Sequence, residues 1–121
     1  MKLYAVRVFV GDWPRACDFY GETLGLAERF RNDDMGGAEF DLGGPSLGVE
    51  RVDEKDGDGR RHVGRFLGVS LMVDDVEKTH ETLHAKGVRF DGPPENQPWG
   101  GVLTHFEDPD GNVLTLLGRS G

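Results

Sequence analysis

The feature that most constrains the fold is an internal repeat. A short apolar run ending in an aspartate occurs twice, at residues 8–12 and 71–75, and the second aspartate lies 63 positions after the first. A helix-like stretch follows each run and ends at a glycine, Gly25 or Gly87, so these two stops are 62 positions apart. A repeated unit cannot bury its apolar face alone, so the repeat predicts two similar halves of one domain, with a pocket where equivalent strands face each other.

Both copies have the same predicted order of elements, βαβββ. In the first copy Asp12 caps a helix that runs to about Thr23, and β-branched and aromatic residues predict strands at residues 3–10, 27–32, 38–42 and 46–52. In the second copy a strand (66–73), a helix (76–86) and a strand (88–90) precede a loop (91–100) and a hairpin of residues 102–107 and 112–117. The fold class is therefore α+β, a single domain over residues 1–121 with modules 1–54 and 63–121 joined by an exposed, charged linker, 55–62.

Composition excludes several classes of protein. A net charge of −8 gives no basic face for nucleic acid. The single cysteine, Cys17, cannot form an internal disulfide and fits a reducing compartment. No leader and no apolar run of membrane-spanning length is present, so we expect a cytoplasmic protein without a membrane partner.

Two stretches carry a family resemblance. The aspartate-capped helix ending in Phe19-Tyr20 and Leu24-Gly25-Leu26, and the late run Asp108-Pro109-Asp110-Gly111-Asn112, resemble the vicinal oxygen chelate superfamily. That is the group of glyoxalase I, bleomycin-resistance proteins and extradiol dioxygenases. The resemblance covers essentially the whole chain and implies that the paired βαβββ modules curl into an open, incomplete barrel around a cavity, with homodimers frequent. The superfamily spans metal enzymes and metal-free drug-binding proteins, so the site must decide the function.

The resemblance also locates the positions that hold a metal ion in metal-using members. These positions correspond here to Ala5, Glu50, Gly68 and Thr115. Alanine and glycine offer no donor, threonine is a weak neutral oxygen, and one carboxylate cannot hold a divalent ion against water. We therefore expect no divalent metal and no other cofactor, and no chemistry that needs a metal as Lewis acid.

Strand alternation predicts which side chains share a face with these positions. Arg7 and Phe9 follow the face of Ala5, and pairing Glu107 with Val113 across the hairpin puts His105 opposite Thr115. The predicted ligand-binding set is Arg7, Phe9, Glu50, Ser70, Met72, Trp99, Leu103, His105 and Thr115, with Leu117 as a further apolar wall.

Alternatives stay open for several of these residues. Arg7 is either a buried ion-pair partner of Glu50 or an anchor for an anionic ligand. His105 either contacts a ligand or is an ordinary strand histidine, and Trp99 is either rim or hairpin packing. We expect His80 and His84 to lie on a solvated helix face, Cys17 to be a buried structural thiol, and the Asp-Pro-Asp-Gly-Asn run to be a structural turn.

The sequence thus predicts a glyoxalase/bleomycin-resistance-like protein that binds a small organic molecule in a metal-free cavity, as a homodimer. The alternative is an enzyme of lyase, isomerase or dioxygenase type, metal-dependent or metal-independent, that uses Glu50 and His105 as catalytic residues. A third possibility is an interaction domain whose cavity is filled by side chains.

Overall fold

The computed structural model describes residues 1–53 and 55–119 and divides the chain into two compact units. The first unit comprises residues 1–65 with 109–111, and the second comprises the other described residues. Each unit has its own sheet, of four strands in the first and five in the second, and neither sheet closes on itself. The predicted α+β class is confirmed, and the βαβββ order is confirmed in the first unit and, with one added strand, in the second.

The first unit begins with strand β1 (Ala5–Val10) and helix α1 (Trp13–Asp18), which continues as a π-helical turn (Phe19–Thr23). Three further strands follow, and a short helix α2 (Gly57–Arg60) comes last; the strands are β2 (Glu28–Asn32), β3 (Gly37–Asp41) and β4 (Ser46–Arg51). The sheet has the order β1-β4-β3-β2, with β1 parallel to β4 and the other pairs antiparallel.

Helix α1 begins where the sequence predicts it. The Asp12 side chain accepts a hydrogen bond from the Arg15 amide, and a proline in the first turn has no amide to leave unpaired. The helix packs on β4, where the indole Nε1 of Trp13 donates to the carbonyl of Val49 at 3.0 Å. Val8 and Val49 are fully buried on the same side of the sheet. One face of the sheet therefore forms the core and the other is left open.

The second unit repeats this order with one addition. Strand β5 (Phe66–Met72), helix α3 (Val76–Ala85) and strand β6 (Arg89–Phe90) precede β7 (Glu95–Asn96) and the hairpin of β8 (Gly101–Glu107) and β9 (Val113–Arg119). The order is β5-β9-β8-β6, with β7 also paired to β8. No helix in the described part of the chain is long and apolar enough to cross a membrane.

The predicted strand ends agree with the structure to within two residues, and two differences have physical causes. Strand β7 lies inside the predicted loop 91–100, because Glu95 and Asn96 pair with β8, a contact that local composition does not signal. Helix α2 lies inside the predicted linker, because the Asp56 side chain accepts from the Gly59 amide at 3.0 Å and closes one helical turn.

Strand β5 contains a bulge that the sequence pattern does not reveal. Phe66 pairs with Val113 and Ser70 with Thr115, so four steps along β5 match two steps along β9. Gly68 lies within the bulge with φ of +69°, a conformation that disfavours any side chain.

The Asp-Pro-Asp-Gly-Asn run is a structural turn, as predicted. The main-chain amide of Asp108 donates to the carbonyl of Asn112, and the Asp108 carboxylate accepts from both the main-chain and side-chain nitrogens of Asn112 at 2.9 Å. Both residues are almost completely buried. In the first unit, Oδ1 of Asp110 accepts from the amides of Gly11 and Asp12. The carboxylates of this run therefore have structural partners.

Replacing Asp108 by alanine is expected to lower the free energy of unfolding by about 2–3 kcal/mol, because the buried donors of Asn112 lose their acceptor. The conservative change Asp108→Asn keeps an oxygen acceptor and should cost about 1 kcal/mol. Urea unfolding followed by circular dichroism measures both. A loss below about 0.5 kcal/mol for Asp108→Ala would show that the turn is not held in this way.

Candidate functional site

The open face of the first sheet carries the side chains that alternate with its core. Across β1 and β4, Arg7 pairs with Gly48 and Phe9 with Glu50, so these residues share that face. Glu39 of β3 joins them, because it pairs with Gly48 from the other side. The predicted placement of Arg7, Phe9 and Glu50 on one face is confirmed.

A recess of about 300 Å³ lies on this open face. Gly37 and Gly48 line it, and neither has backbone in the left-handed region. A Cβ added at Gly37 would meet no atom within 4 Å, so the absence of a side chain there leaves space. Apolar and charged side chains both line the recess: Tyr4, Phe30, Met35, Arg7, Glu39 and Glu50.

Arg7 and Glu50 form the ion pair that the sequence suggested. Nε of Arg7 donates to Oε2 of Glu50, and Nη2 donates to Oε1 at 2.9 Å, a bidentate arrangement. The pair is not buried, which corrects one of the two interpretations of Arg7: the side chains are 60% and 36% exposed. These hydrogen bonds and the charge of Glu50 raise the pKa of Arg7, and its guanidinium lies 5.3 Å from the centre of the Phe9 ring.

Glu39 has a different partner on the same face. Both of its carboxylate oxygens accept from the hydroxyl of Tyr4, at 2.9 and 3.0 Å. This hydrogen bond, followed by the charge of Glu39, raises the pKa of Tyr4. Phe30 of β2 stands directly across from Glu39, so an aromatic ring flanks the carboxylate.

Tyr4, Phe30, Met35 and Glu39 are recess residues that the sequence analysis did not select. One of them could have been found, because Ala38 and Phe40 are the buried residues of β3 and alternation then places Glu39 on the open face. Phe30 depends on the pairing of β2 with β3, which shifts register after Glu28. Tyr4 lies inside the predicted strand 3–10 but precedes β1 in the structure, so strand alternation does not give its direction.

In the second unit, the predicted hairpin register is confirmed. Glu107 pairs with Val113 and His105 with Thr115, and Nδ1 of His105 lies 2.8 Å from Oγ1 of Thr115. The ring of Phe66 meets His105 edge-on at 5.7 Å. These side chains, apart from Thr115, line a recess of about 270 Å³ together with Asp91, whose carboxylate accepts from the His105 amide. His105 is thus held in position by its main chain and its ring.

The other predicted residues of the second unit share this open face by alternation. Leu103 pairs with Leu117, and Ser70 pairs with Thr115 on the β5 side. Met72 is 64% exposed. Trp99 packs against the hairpin, because a Cβ added at Gly101 would come within 2.1 Å of its ring, although the residue is 65% exposed. Its place at the rim of a site stays a prediction.

The four positions that correspond to family metal ligands do not fit a divalent ion. Ala5 and Gly68 have no donor, Glu50 is already engaged by Arg7, and the Thr115 hydroxyl is engaged by His105. Among the described residues no three His, Cys, Asp or Glu side chains are grouped as a metal site requires.

His80 and His84 stack on each other at 5.9 Å along α3, and two histidines alone do not complete a metal site.

Cys17 is buried in the first unit, as predicted for a structural thiol. Burial raises its pKa to about 11. The thiol is therefore protonated at neutral pH and is a poor nucleophile.

Comparison with known proteins places the chain in a family. The profile of the Glyoxalase/Bleomycin resistance protein/Dioxygenase superfamily matches residues 2–116. The chain belongs to this superfamily. The uncharacterized protein YraH of Bacillus subtilis (strain 168) is 31% identical over 96% of this chain and 97% of its own length.

Solved structures of the superfamily share the fold. A member from Sphaerobacter thermophilus DSM 20745 is 33% identical, with a TM-score of 0.82 over 98% of both chains. TnmS3, an antibiotic binding protein from Streptomyces sp. CB03234, is 32% identical, with a TM-score of 0.77 over 99% of this chain and 97% of its own.

Because the Arg7–Glu50 pair is exposed, we expect it to contribute little to stability. A double-mutant cycle of Arg7→Ala and Glu50→Ala should give a coupling free energy below about 1 kcal/mol in chemical unfolding. A coupling of about 3 kcal/mol would instead mark the pair as a structural bridge of the kind found in protein interiors.

Proposed function

We propose that this protein binds a small organic molecule in the recess of its first unit and does so without a metal ion. The observation that carries the proposal is the recess itself, about 300 Å³, with three glycines, apolar side chains and a few polar groups in its lining. Small-molecule sites have this composition: apolar walls give affinity, and a few fixed polar groups give orientation.

The Arg7–Glu50 pair supplies the polar edge of the proposed site. Each partner cancels the other's charge, while the guanidinium keeps N–H donors beyond the two used and the carboxylate keeps lone pairs. A ligand can therefore form hydrogen bonds with the free donors and acceptors of the pair while the ion pair itself stays intact. The guanidinium also lies over the ring of Phe9, and this cation–π contact helps to fix the orientation of the Arg7 side chain.

The relatives support binding as the function. TnmS3 is described as an antibiotic binding protein, and it is 32% identical to this chain over nearly its whole length. The superfamily itself contains both enzymes and resistance proteins, so membership alone does not choose between them. The donor-poor residues at the four family metal positions favour binding over metal-assisted catalysis.

Filling the recess tests the proposal. Gly37→Val should abolish or strongly weaken ligand binding, because the new side chain starts in open space and extends into the recess. Stability should hold or rise by about 0.5–1 kcal/mol, since valine suits a strand better than glycine. The measurement is a fragment screen by ligand-observed NMR, with each hit compared between wild type and variant.

The matched control is Gly57→Val, another glycine at which an added Cβ meets nothing within 4 Å, at the start of α2 and outside the recess lining. It should bind the same fragments as wild type. Fragments that bind Gly37→Val as tightly as wild type would contradict the proposed site. A screen with no hits on wild type would contradict the function.

Metal independence is tested directly. We expect purified protein to contain no stoichiometric metal and to show no thermal shift with Zn²⁺, Ni²⁺, Mn²⁺ or Fe²⁺, since a bound ion must stabilise the folded state. Stoichiometric metal with clear stabilisation would favour the enzyme alternative. In that case Glu50→Ala and His105→Ala should abolish turnover rather than only weaken affinity.

Two further predictions accompany the proposal. His105, with the hydroxyl of Thr115 beside it, is proposed to contact ligand in the recess of the second unit. Ser70, Met72, Trp99 and Leu103 are proposed to bind ligand as well, from outside the lining of that recess. The protein is proposed to be a cytoplasmic homodimer, and light scattering on the purified protein measures the mass that decides its oligomeric state.

A further inference from the structure

Glu39 is a recess carboxylate without a cationic partner among the described residues. Its carboxylate accepts from the neutral hydroxyl of Tyr4. The nearby cations are engaged elsewhere: Arg7 is paired with Glu50, and Arg29 with Asp41 at 2.7 Å. Because Tyr4 is itself neutral, Glu39 has a hydrogen-bond partner but no ion-pair partner among the described residues.

Arg51 is the other guanidinium that lines the recess, and it does not neutralise Glu39. Its Nη2 donates to the main-chain carbonyl of Asp34 at 3.2 Å, and its side chain lies against Gly36. No ion pair joins Arg51 to Glu39 in the described chain.

Two exposed aromatic residues stand beside this carboxylate. Tyr4 is 71% exposed and Phe30 is 49% exposed, and both line the same recess as Glu39. Aromatic faces carry negative potential and attract ammonium groups, most strongly where a carboxylate adds to the attraction. Glu39 and the two aromatic rings therefore favour a cationic group over an anionic one at their end of the recess.

The strand pairing leaves room for such a group. Gly48 lies between Arg7 and Glu39, because it pairs with both. Gly48 lines the recess, and a Cβ added there would already contact the Arg7 side chain at 3.6 Å, so any larger residue would crowd the space between the Arg7–Glu50 pair and Glu39. A net charge of −8 further favours the approach of a cation.

We propose that the recess of the first unit recognises organic cations, with a protonated amine or quaternary ammonium group held by Glu39, Tyr4 and Phe30. This inference rests on the proposed small-molecule function and adds the charge class of the ligand. The Arg7–Glu50 pair serves the polar, uncharged part of the same molecule.

Three probes of matched shape test the charge selection: 2-phenylethylammonium, 2-phenylethanol and 3-phenylpropionate. Affinities are measured on the full chain by NMR titration at millimolar concentrations. The ammonium should bind about tenfold more tightly than the alcohol, and the carboxylate should bind more weakly than both. Equal affinity for the ammonium and the alcohol would overturn the inference.

Glu39→Gln isolates the residue responsible. This change keeps the shape and removes the charge, so ammonium affinity should fall about tenfold while alcohol affinity stays unchanged. Glu22→Gln is the control, because it makes the same change in net charge on an exposed glutamate outside the recess lining. An equal loss in both variants, or no loss in Glu39→Gln, would contradict a local role for Glu39.

Tyr4→Phe separates the ring from the hydroxyl. The ring stays while the hydrogen bond to Glu39 is lost, so ammonium affinity should be kept or increased. A tenfold loss would show that the hydroxyl, rather than the ring and the carboxylate, binds the probe.

The two proposals fail in different ways. If Gly37→Val weakens binding of the alcohol and the ammonium alike, but neither probe is preferred by wild type, the recess binds small molecules and the cation inference is wrong. If Gly37→Val changes the affinity of no probe, the recess is not the site and both proposals are wrong.

Discussion

Each half of this protein has one principal helix, and one helix covers only one face of a sheet. In the first unit that helix is α1, which packs on β4 and buries Trp13 and Ala16 against the sheet. The residues that alternate with this core therefore stand on a face that the unit's own helix does not cover. The ion pair of Arg7, the carboxylate of Glu39 and the recess between them are consequences of that arrangement.

Local patterns predicted the parts of this fold that local chemistry specifies. The proline-glycine turn after Asp108 fixed the hairpin register, and the register alone placed His105 against Thr115. Partner choice between distant strands was not predictable in the same way. The contact of Phe30 with the Glu39 position depends on a register shift, and the exposure of the Arg7–Glu50 pair depends on how the whole face is covered. Neither the register shift nor the exposure of the pair produces a periodic pattern in the sequence.

The departure from the family metal pattern takes a specific form here. Glu50 is the one strong donor among the four corresponding positions, and a neighbouring strand supplies Arg7 to pair with it. The hydroxyl of Thr115 is likewise hydrogen-bonded to the ring of His105. In each unit, a side chain at one of these positions is therefore hydrogen-bonded to a neighbouring side chain of its own unit.

The burial of Cys17 has a practical consequence for studying this chain. It is the single cysteine of the sequence, it lies in the core of the first unit, and its pKa is raised to about 11. A thiol-specific reagent can modify it only when that core opens, so the rate of labelling reports local unfolding of one half of the molecule. The native sequence thus contains its own site-specific probe, and ligand-induced slowing of its modification would read out binding without an engineered label.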